Sequence, residues 1–473
     1  MMRSNASSVQ RILEFKYREL QDFQANWQLY LRWHGQSYNN TLFLGRSGIM
    51  IRATMASDAK LMNNSNVRHD AAQKTNRLNA HRVTSQSLAC KPLRVALVHD
   101  WLTGLRGGEK CLERLCLMFP ESTIFTLIHA KGRVGTIIGG MKIKTSPLQR
   151  IPGVTKIYRH LLPIMPWAVR RLKIENVDVV ISLSHCVAKA VQVPEGVPHI
   201  SYCFTPMRYA WDGRASYLEK WPVGSIKRRF LEQILDRLAR WDARTASGVT
   251  QFVAISETIK ARILRNYSRT SVVIAPPVDT DYYQPDTSVK REDFYLAASA
   301  LVPYKLIDQA VEACNRLGKK LVVIGSGPEL ENLRKLAGPT VQVLGFQPDE
   351  VLRDHLRRCQ ALIFPGDEDF GILPIEALAC GTPVIALGRG GVAETVDDSV
   401  GRIYPEPSVE SLCQAIVDWE AMPQNPQLAK IARQKAERFA VDQFDQAILS
   451  LIKSFQSVRN SAETLSNIKV KAG

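Results

Sequence analysis

Short β-rich runs that end in glycine-containing turns and pass into helical patterns recur in two series, one on each side of a proline-rich connector. This alternation constrains the fold more than any other feature of the chain. The first series opens at "LRVALVHDW", β-rich over residues 93–99, which breaks into "LTGLRGGEK" and then the helical pattern "EKCLERLCLMF". Further strand-like runs follow at "VDVVISL" (177–183), "PHISYCF" (198–204) and "QFVAIS" (251–256). The connector "VVIAPPVDTDYYQPDTSVKRED" (272–293) leaves a strand for polar, proline-rich sequence and marks a domain boundary. The second series has strands at "FYLAAS" (294–299), "KLVVIG" (320–325), "VQVLG" (341–345), "ALIFP" (361–365) and "TPVIAL" (382–387). Strands alternating with helices predict parallel sheets covered on both faces. The expected fold class is α/β, with two Rossmann-like, doubly wound domains facing each other across a cleft and ligands at the carboxyl ends of the strands.

The 473 residues, 45% hydrophobic and 23% charged, are too many for one compact domain, which agrees with two. Residues 1–91 read differently. They are rich in Asn, Ser, Gln and Arg and poor in acids, as in a basic, disordered leader. Within it Ile12, Phe15, Leu20, Phe23, Trp27 and Tyr30 recur at helical spacing, and the internal methionines at 50, 55 and 62 allow a start further downstream. No run of about 18 apolar residues suggests a membrane span, and the first thirty or so residues lack a secretory h-region, so the expected compartment is the cytosol. Nine scattered cysteines without a CxxC pair fit reduced thiols. A net charge of +17 implies attraction to a polyanion. No zinc finger or RNP-like motif points to nucleic acid. Residues 225–245 form an expected helix with an apolar stripe of Ile226, Phe230, Ile234, Leu238 and Trp241. Its basic surface, Lys227, Arg228, Arg229, Arg237, Arg240 and Arg244, could meet anionic lipid or simply lie in water.

The chemistry concentrates in "EDFGILPIEALACGTPVI" (368–385), where Glu368 and Glu376 flank a short apolar run with one glycine and one proline. Two carboxylates at this spacing could be a glycosidase's acid and base, a cation site, or two hydroxyl-binding groups beside a phosphate. Pro374 suits the first turn of a helix, which leaves the N–H groups of Gly371, Ile372 and Leu373 unpaired and directed outward, a site for phosphate. Carboxylates would repel phosphate and are better used on sugar hydroxyls. Three more glycine turns end strands: "VIGSGPE" with Gly325 and Gly327, "GRGGVAETV" with Gly390, Gly391 and Glu394, and "TGLRGGEK" with Gly107 and Gly108. A tight turn explains any one of them; four together argue for a polyphosphate ligand.

These residues resemble glycosyltransferase family 4. The Glu-x7-Glu spacing inside "DFGILPIEALACGTPVIA", "GRGGVAETV" after it and "VALVHDWLTGLRGGEK" before it carry the likeness, which covers roughly residues 93–455. "TPMRYAWD", "PPVDTDYY" and "LVPYK" are similar to its mannosyltransferase-like members of bacterial lipopolysaccharide and surface polysaccharide synthesis. The resemblance implies a GT-B fold with an acceptor-side domain over 92–285 and a nucleotide-sugar domain over 286–440. A crossover helix over 441–457 would return to the first domain and precede a tail over 458–473.

The same resemblance implies a retaining hexosyltransferase that needs no metal or other cofactor, its nucleotide-sugar donor being a substrate. Glu376 would hold the nucleotide ribose and Glu368 the donor-sugar hydroxyls, while Lys305 would neutralise the diphosphate leaving group. The amides of Gly371 to Leu373, with Gly107 and Gly108, would hold sugar and phosphate. The acids at 367–369 are read as loop acids. Two positions depart from the family pattern: Ala300 stands where arginine is usual and Phe204 where histidine is usual. His99, Arg106, His185 and Arg208 are the candidate acceptor-side or compensating groups, and His185 also reads as a helix-start residue. Expected partners are the donor, a lipid-linked or saccharide acceptor and an anionic membrane surface, with no nucleic acid. The alternative is a catalytically weakened or inactive relative that binds nucleotide or saccharide. A glycoside hydrolase would have no use for four glycine turns or Lys305.

Overall fold

The computed structural model describes residues 93–214, 218, 225–423 and 425–471, together with 44–45 and 48–49. The helical spacing over residues 12–30 lies outside the described residues. Where the sequence suggested a disordered leader, Leu44–Gly45 pairs antiparallel with Gly48–Ile49.

The first lobe is a seven-stranded parallel sheet built from β1 (Val95–His99), β2 (Thr123–Thr126), β3 (Lys142–Thr145), β4 (Val179–Ser184), β5 (His199–Cys203), β6 (Gln251–Ala254) and β7 (Ser271–Val273). Its order is β3-β2-β1-β4-β5-β6-β7. β1, β4 and β5 are buried along their whole length, the signature of strands covered on both faces. The second lobe has six parallel strands, β8 (Tyr295–Ala298), β9 (Leu321–Ile324), β10 (Val341–Gly345), β11 (Leu362–Phe364), β12 (Val384–Leu387) and β13 (Gly401–Tyr404), ordered β10-β9-β8-β11-β12-β13. Both sheets reverse direction of growth beside their first strand, and a doubly wound sheet binds ligands at that point.

β2, β3 and β13 are strands that the sequence did not announce. The β3 sequence "KIKT" is short, charged and largely exposed, as suits an edge strand, and carries no apolar run. Glycine and arginine open β13, whose Gly401 lies so close to the Val384 carbonyl that a side chain would not fit.

Five helices position the site: α1 (Gly107–Met118), α2 (Ser225–Thr245), α3 (Glu257–Tyr267), α4 (Ile372–Ala379) and α5 (Val441–Lys471). On α2 the buried side is Leu235, Leu238 and Ala239, with Ile234 and Trp241 packed against it, whereas Phe230 of the expected apolar stripe is 51% exposed. Arg228, Arg229, Arg237, Arg240 and Arg244 are exposed. α5 runs on to Lys471, through the residues read as a tail.

α5 packs on the first lobe through Phe444, Ile448 and Ile452, with the Phe444 ring edge-on to Tyr202 at 5.8 Å. Complete burial of such side chains stabilises by roughly 1.5–3 kcal/mol each. Beside them the Arg114 guanidinium of α1 meets the Asp445 carboxylate in a two-pronged ion pair, Nε to Oδ1 at 2.8 Å, with both side chains about 95% buried. Asp445→Ala leaves this arginine charged and unpaired in the core. It should cost about 3–5 kcal/mol in urea unfolding, and a loss below about 1 kcal/mol would mean that water reaches the arginine.

Candidate active site at the cleft between the lobes

The loop after β11 bends into α4 at Gly371, whose φ of +88° places it in the left-handed region where a side chain is strained. α4 begins at Ile372, so Pro374 is its third residue. The N–H groups of its first turn therefore have no partner inside the helix. Facing it from the first lobe is the start of α1, where the Arg106 N–H donates to the Glu109 carboxylate at 3.1 Å. A Cβ on Gly107 would lie 3.2 Å from Ile372 Cδ1, so the Ile372 side chain spans from the start of α4 to the start of α1. A Cβ on Gly108 would lie 3.3 Å from the Phe204 ring and 3.6 Å from His99 Nε2. Both helices direct their positive ends toward this cleft.

Both carboxylates of the Glu-x7-Glu pair are there, each held by a lysine. Lys305, from the short turn Pro303–Lys305, donates to Glu368 and lies over the Tyr304 ring at 5.4 Å. Glu376 is buried and accepts from Lys110 Nζ at 3.1 Å across the cleft. Glu376, ahead of the opposing effect of burial, raises the Lys110 ammonium above its ordinary range.

Asp369, read as a loop acid, is a junction. Its carboxylate takes Arg208 Nη2 at 2.6 Å and Arg262 Nη1 at 2.5 Å, and its carbonyl accepts from Ser256 Oγ at 2.7 Å. Arg208 follows β5 in the "TPMRYAWD" loop and Arg262 lies on α3, so two segments of the first lobe grip one residue of the second.

The remaining glycine turns support these contacts. Gly390 and Gly391 pack against the backbone of residues 368–370 so closely that a Cβ would overlap it, and the Gly391 N–H donates to the Glu368 carbonyl at 2.8 Å. Gly325 and Gly327 likewise bring their loop against the carbonyls of Ser299 and Leu301, where exposed Ala300 leads toward Lys305. Glu394 caps α3, accepting from the N–H groups of Glu257 and Thr258 at 2.8 Å each and from Thr258 Oγ1 at 2.7 Å. Its carboxylate thus joins the lobes.

On the first-lobe side Asp100, wholly buried, accepts four backbone N–H groups, from His185 (2.8 Å), Cys186 (2.9 Å), Val187 (2.6 Å) and Ala188 (2.7 Å). This carboxylate shapes the loop after β4 and seats His185, which lies edge-on to Trp101 at 4.6 Å with Nδ1 3.1 Å from Asp100. His185 stands in that loop, before the turn Ala188–Ala190, rather than starting a helix. Desolvation, outweighing the opposing pull of Asp100, holds its imidazole below the usual range. His99 Nδ1 lies 3.0 Å from the Trp101 carbonyl, which selects the tautomer with the proton there, and its buried Nε2 has no partner among the described residues. Arg106 is exposed at the start of α1.

The structure therefore gathers Lys305, Glu368, Glu376, the α4 start, Gly107, Gly108 and Arg208 at one cleft. It gives Gly325, Gly327, Gly390, Gly391 and Glu394 supporting contacts around it. Lys110, Asp369, Arg262 and Asp100 escaped sequence reasoning, although Lys110 and Asp100 lie inside the quoted runs "TGLRGGEK" and "VHDW". Among the described residues no three His, Cys, Asp or Glu side chains converge as metal ligands.

Asp369→Ala releases Arg208 and Arg262 from the second lobe. It should lower the unfolding free energy by about 1.5–3 kcal/mol and enlarge the radius of gyration in small-angle scattering; an unchanged radius would show that Glu394 and Lys110 suffice to hold the lobes.

Comparison with known proteins places this cleft in context. Residues 280–439 match the family model for glycosyl transferases group 1. The D-inositol 3-phosphate glycosyltransferase of Mycobacteroides abscessus is 31% identical over 207 residues, 39% of this chain and 45% of the relative. The GDP-mannose-dependent alpha-(1-6)-phosphatidylinositol monomannoside mannosyltransferase of Mycolicibacterium smegmatis is 31% identical over 179 residues, 32% of this chain and 47% of the relative. The chain thus spans a little under half the length of these curated relatives. Among solved structures, HepE of Anabaena in complex with UDP superposes with a TM-score of 0.55 at 17% identity, covering 76% of this chain and all of that one. Sucrose-phosphate synthase from Thermosynechococcus elongatus gives 0.57 at 17% identity, covering 77% and 100%. At these identities the structures speak for the fold alone. The chain has the GT-B fold, and its second lobe matches the family model for glycosyl transferases group 1.

Proposed function

We propose that the chain is a retaining glycosyltransferase that moves a hexose, mannose from GDP-mannose in the first instance, onto a lipid-linked or polysaccharide acceptor in surface polysaccharide synthesis. One observation carries the reading: the starts of α1 and α4, bridged by the Ile372 side chain, lie beside two carboxylates, each held by a lysine. Helix ends and ammonium groups suit a diphosphate and stabilise its charge as it leaves, work that a divalent ion performs elsewhere. Carboxylates suit the hydroxyls of ribose and sugar. In this reading Glu376 takes the ribose, Glu368 the donor sugar, and Lys305 the leaving diphosphate. In the same reading His185, 30% exposed beside Asp100, serves the acceptor side.

The basic face of α2, with Phe230 exposed beside Arg228 and Arg229, supports work at the cytoplasmic face of an anionic membrane. No described helix is long and apolar enough to cross a membrane, so attachment in this reading is peripheral. A weakened enzyme is the second reading, favoured by Phe204, whose ring fills the space against Gly108, and by the uncharged Ala300. Phenyl accepts no hydrogen bond from a sugar hydroxyl.

Thermal unfolding with GDP, UDP, GDP-mannose and UDP-glucose, with and without EDTA, tests donor binding. One nucleotide series at about 100 times its Kd should add roughly 2.7 kcal/mol, and no stabilisation by any of them would remove the donor reading. Lys305→Ala should lower sugar transfer by about 10²–10³-fold, with the anomeric configuration of the product read by NMR. A large gain of transfer in Ala300→Arg combined with Phe204→His would favour the weakened enzyme. Phe230→Ser should reduce sedimentation with phosphatidylglycerol vesicles, and unchanged sedimentation would move the membrane face elsewhere.

A further inference from the structure

Lys110 stands where a cation is electrostatically disfavoured. It is the fourth residue of α1, close to the positive end of that helix, where acidic side chains are stabilising and basic ones are not. Its Nζ nevertheless crosses the cleft to lie 3.1 Å from Glu376, a residue of α4 in the other lobe. With Asp349 and Glu113 adding to Glu376, the surrounding carboxylates keep the ammonium charged. Gly107, against which the Ile372 side chain packs, places the lysine's stem beside the first residue of α4.

The charge balance on the other side of the cleft is incomplete. A diphosphate carries more than one negative charge, whereas the Pro303–Lys305 turn offers Lys305, already shared with Glu368, and the preceding Ala300 brings no charge. Arg208 and Arg262 are both occupied by Asp369. Lys110 is held by a carboxylate that a ribose would claim.

We propose that Lys110 is the second cation of the donor diphosphate site, contributed by the first lobe and transferred from Glu376 to the phosphates when a nucleotide binds. The inference rests on the donor reading above. Ribose hydroxyls donate to Glu376 in place of the ammonium, and the released ammonium donates to phosphate oxygens without leaving the cleft. The exchange keeps every charged group partnered in both states and ties donor binding to contact between the lobes.

Titration calorimetry of the full chain with guanosine, GMP and GDP, and with uridine, UMP and UDP, tests it in the wild type, Lys110→Ala, Lys110→Arg and Lys110→Ala combined with Ala300→Arg. Lys110→Ala should weaken the diphosphate by about ten-fold or more while leaving the nucleoside unchanged or tighter, because ribose then meets no ammonium on Glu376. Lys110→Arg, which keeps a cation and reports on any loss of folding, should retain the diphosphate. The double variant should recover it. Equal strengthening of nucleoside and diphosphate in Lys110→Ala would overturn the inference, because Lys110 would then only compete with ribose for Glu376; so would unchanged affinity for both. If the wild-type chain binds neither nucleotide series, the donor reading itself fails and the inference with it.

Discussion

Two helix starts of like partial charge, α1 from one lobe and α4 from the other, share the cleft, with the Ile372 side chain of α4 packed against Gly107 of α1. Left to themselves they repel, and the lysines and arginines around them add to the repulsion. The structure resolves this with three carboxylates from one segment of the second lobe. Glu368 takes Lys305, Asp369 takes Arg208 and Arg262, and Glu376 takes Lys110. The loop between β11 and α4 is thus the place where the opposing charges are matched, and its shape depends on backbone contacts that only glycine permits at positions 390 and 391.

Around that centre the lobes are joined by groups with different tolerances. Arg114 and Asp445 are buried together, so the pair depends on both members being present. Glu394 lies at an exposed helix start, where its bonds to the α3 amides are weaker and more easily broken. The ion pairs of the cleft lie between these extremes: solvent reaches part of Lys110 and Arg208, and an incoming anion could compete for them.

Much of this was legible in the sequence, for physical reasons that differ by element. β1 and β4 announce themselves because strands covered on both faces are rich in β-branched and other apolar residues, β5 by its short Ile, Tyr and Cys run, and α2 because its basic and apolar residues recur at helical spacing. Gly371, Pro374 and the two glutamates were readable because a strand-to-helix turn restricts the residues that can build it. β3 and β13 were not, since an edge strand has no uniform apolar pattern. Phe230 followed the periodicity of the α2 stripe, yet the packed side of the helix is Leu235, Leu238 and Ala239. Periodicity gives the repeat of a face and leaves its orientation to the neighbouring layer.

The sequence by itself determined two doubly wound sheets, the turns at their carboxyl ends, and the acids and lysine of the second lobe's motif, because these follow from local pattern and backbone chemistry. Only the tertiary structure decided which charges meet. Asp369 reads as one loop acid among three until Arg208, 161 residues before it, and Arg262, 107 before it, are folded against it. Lys110 and Glu376 are 266 residues apart in the chain and 3.1 Å apart in space. Pairing over such distances depends on how the two lobes close, and local sequence carries no record of that.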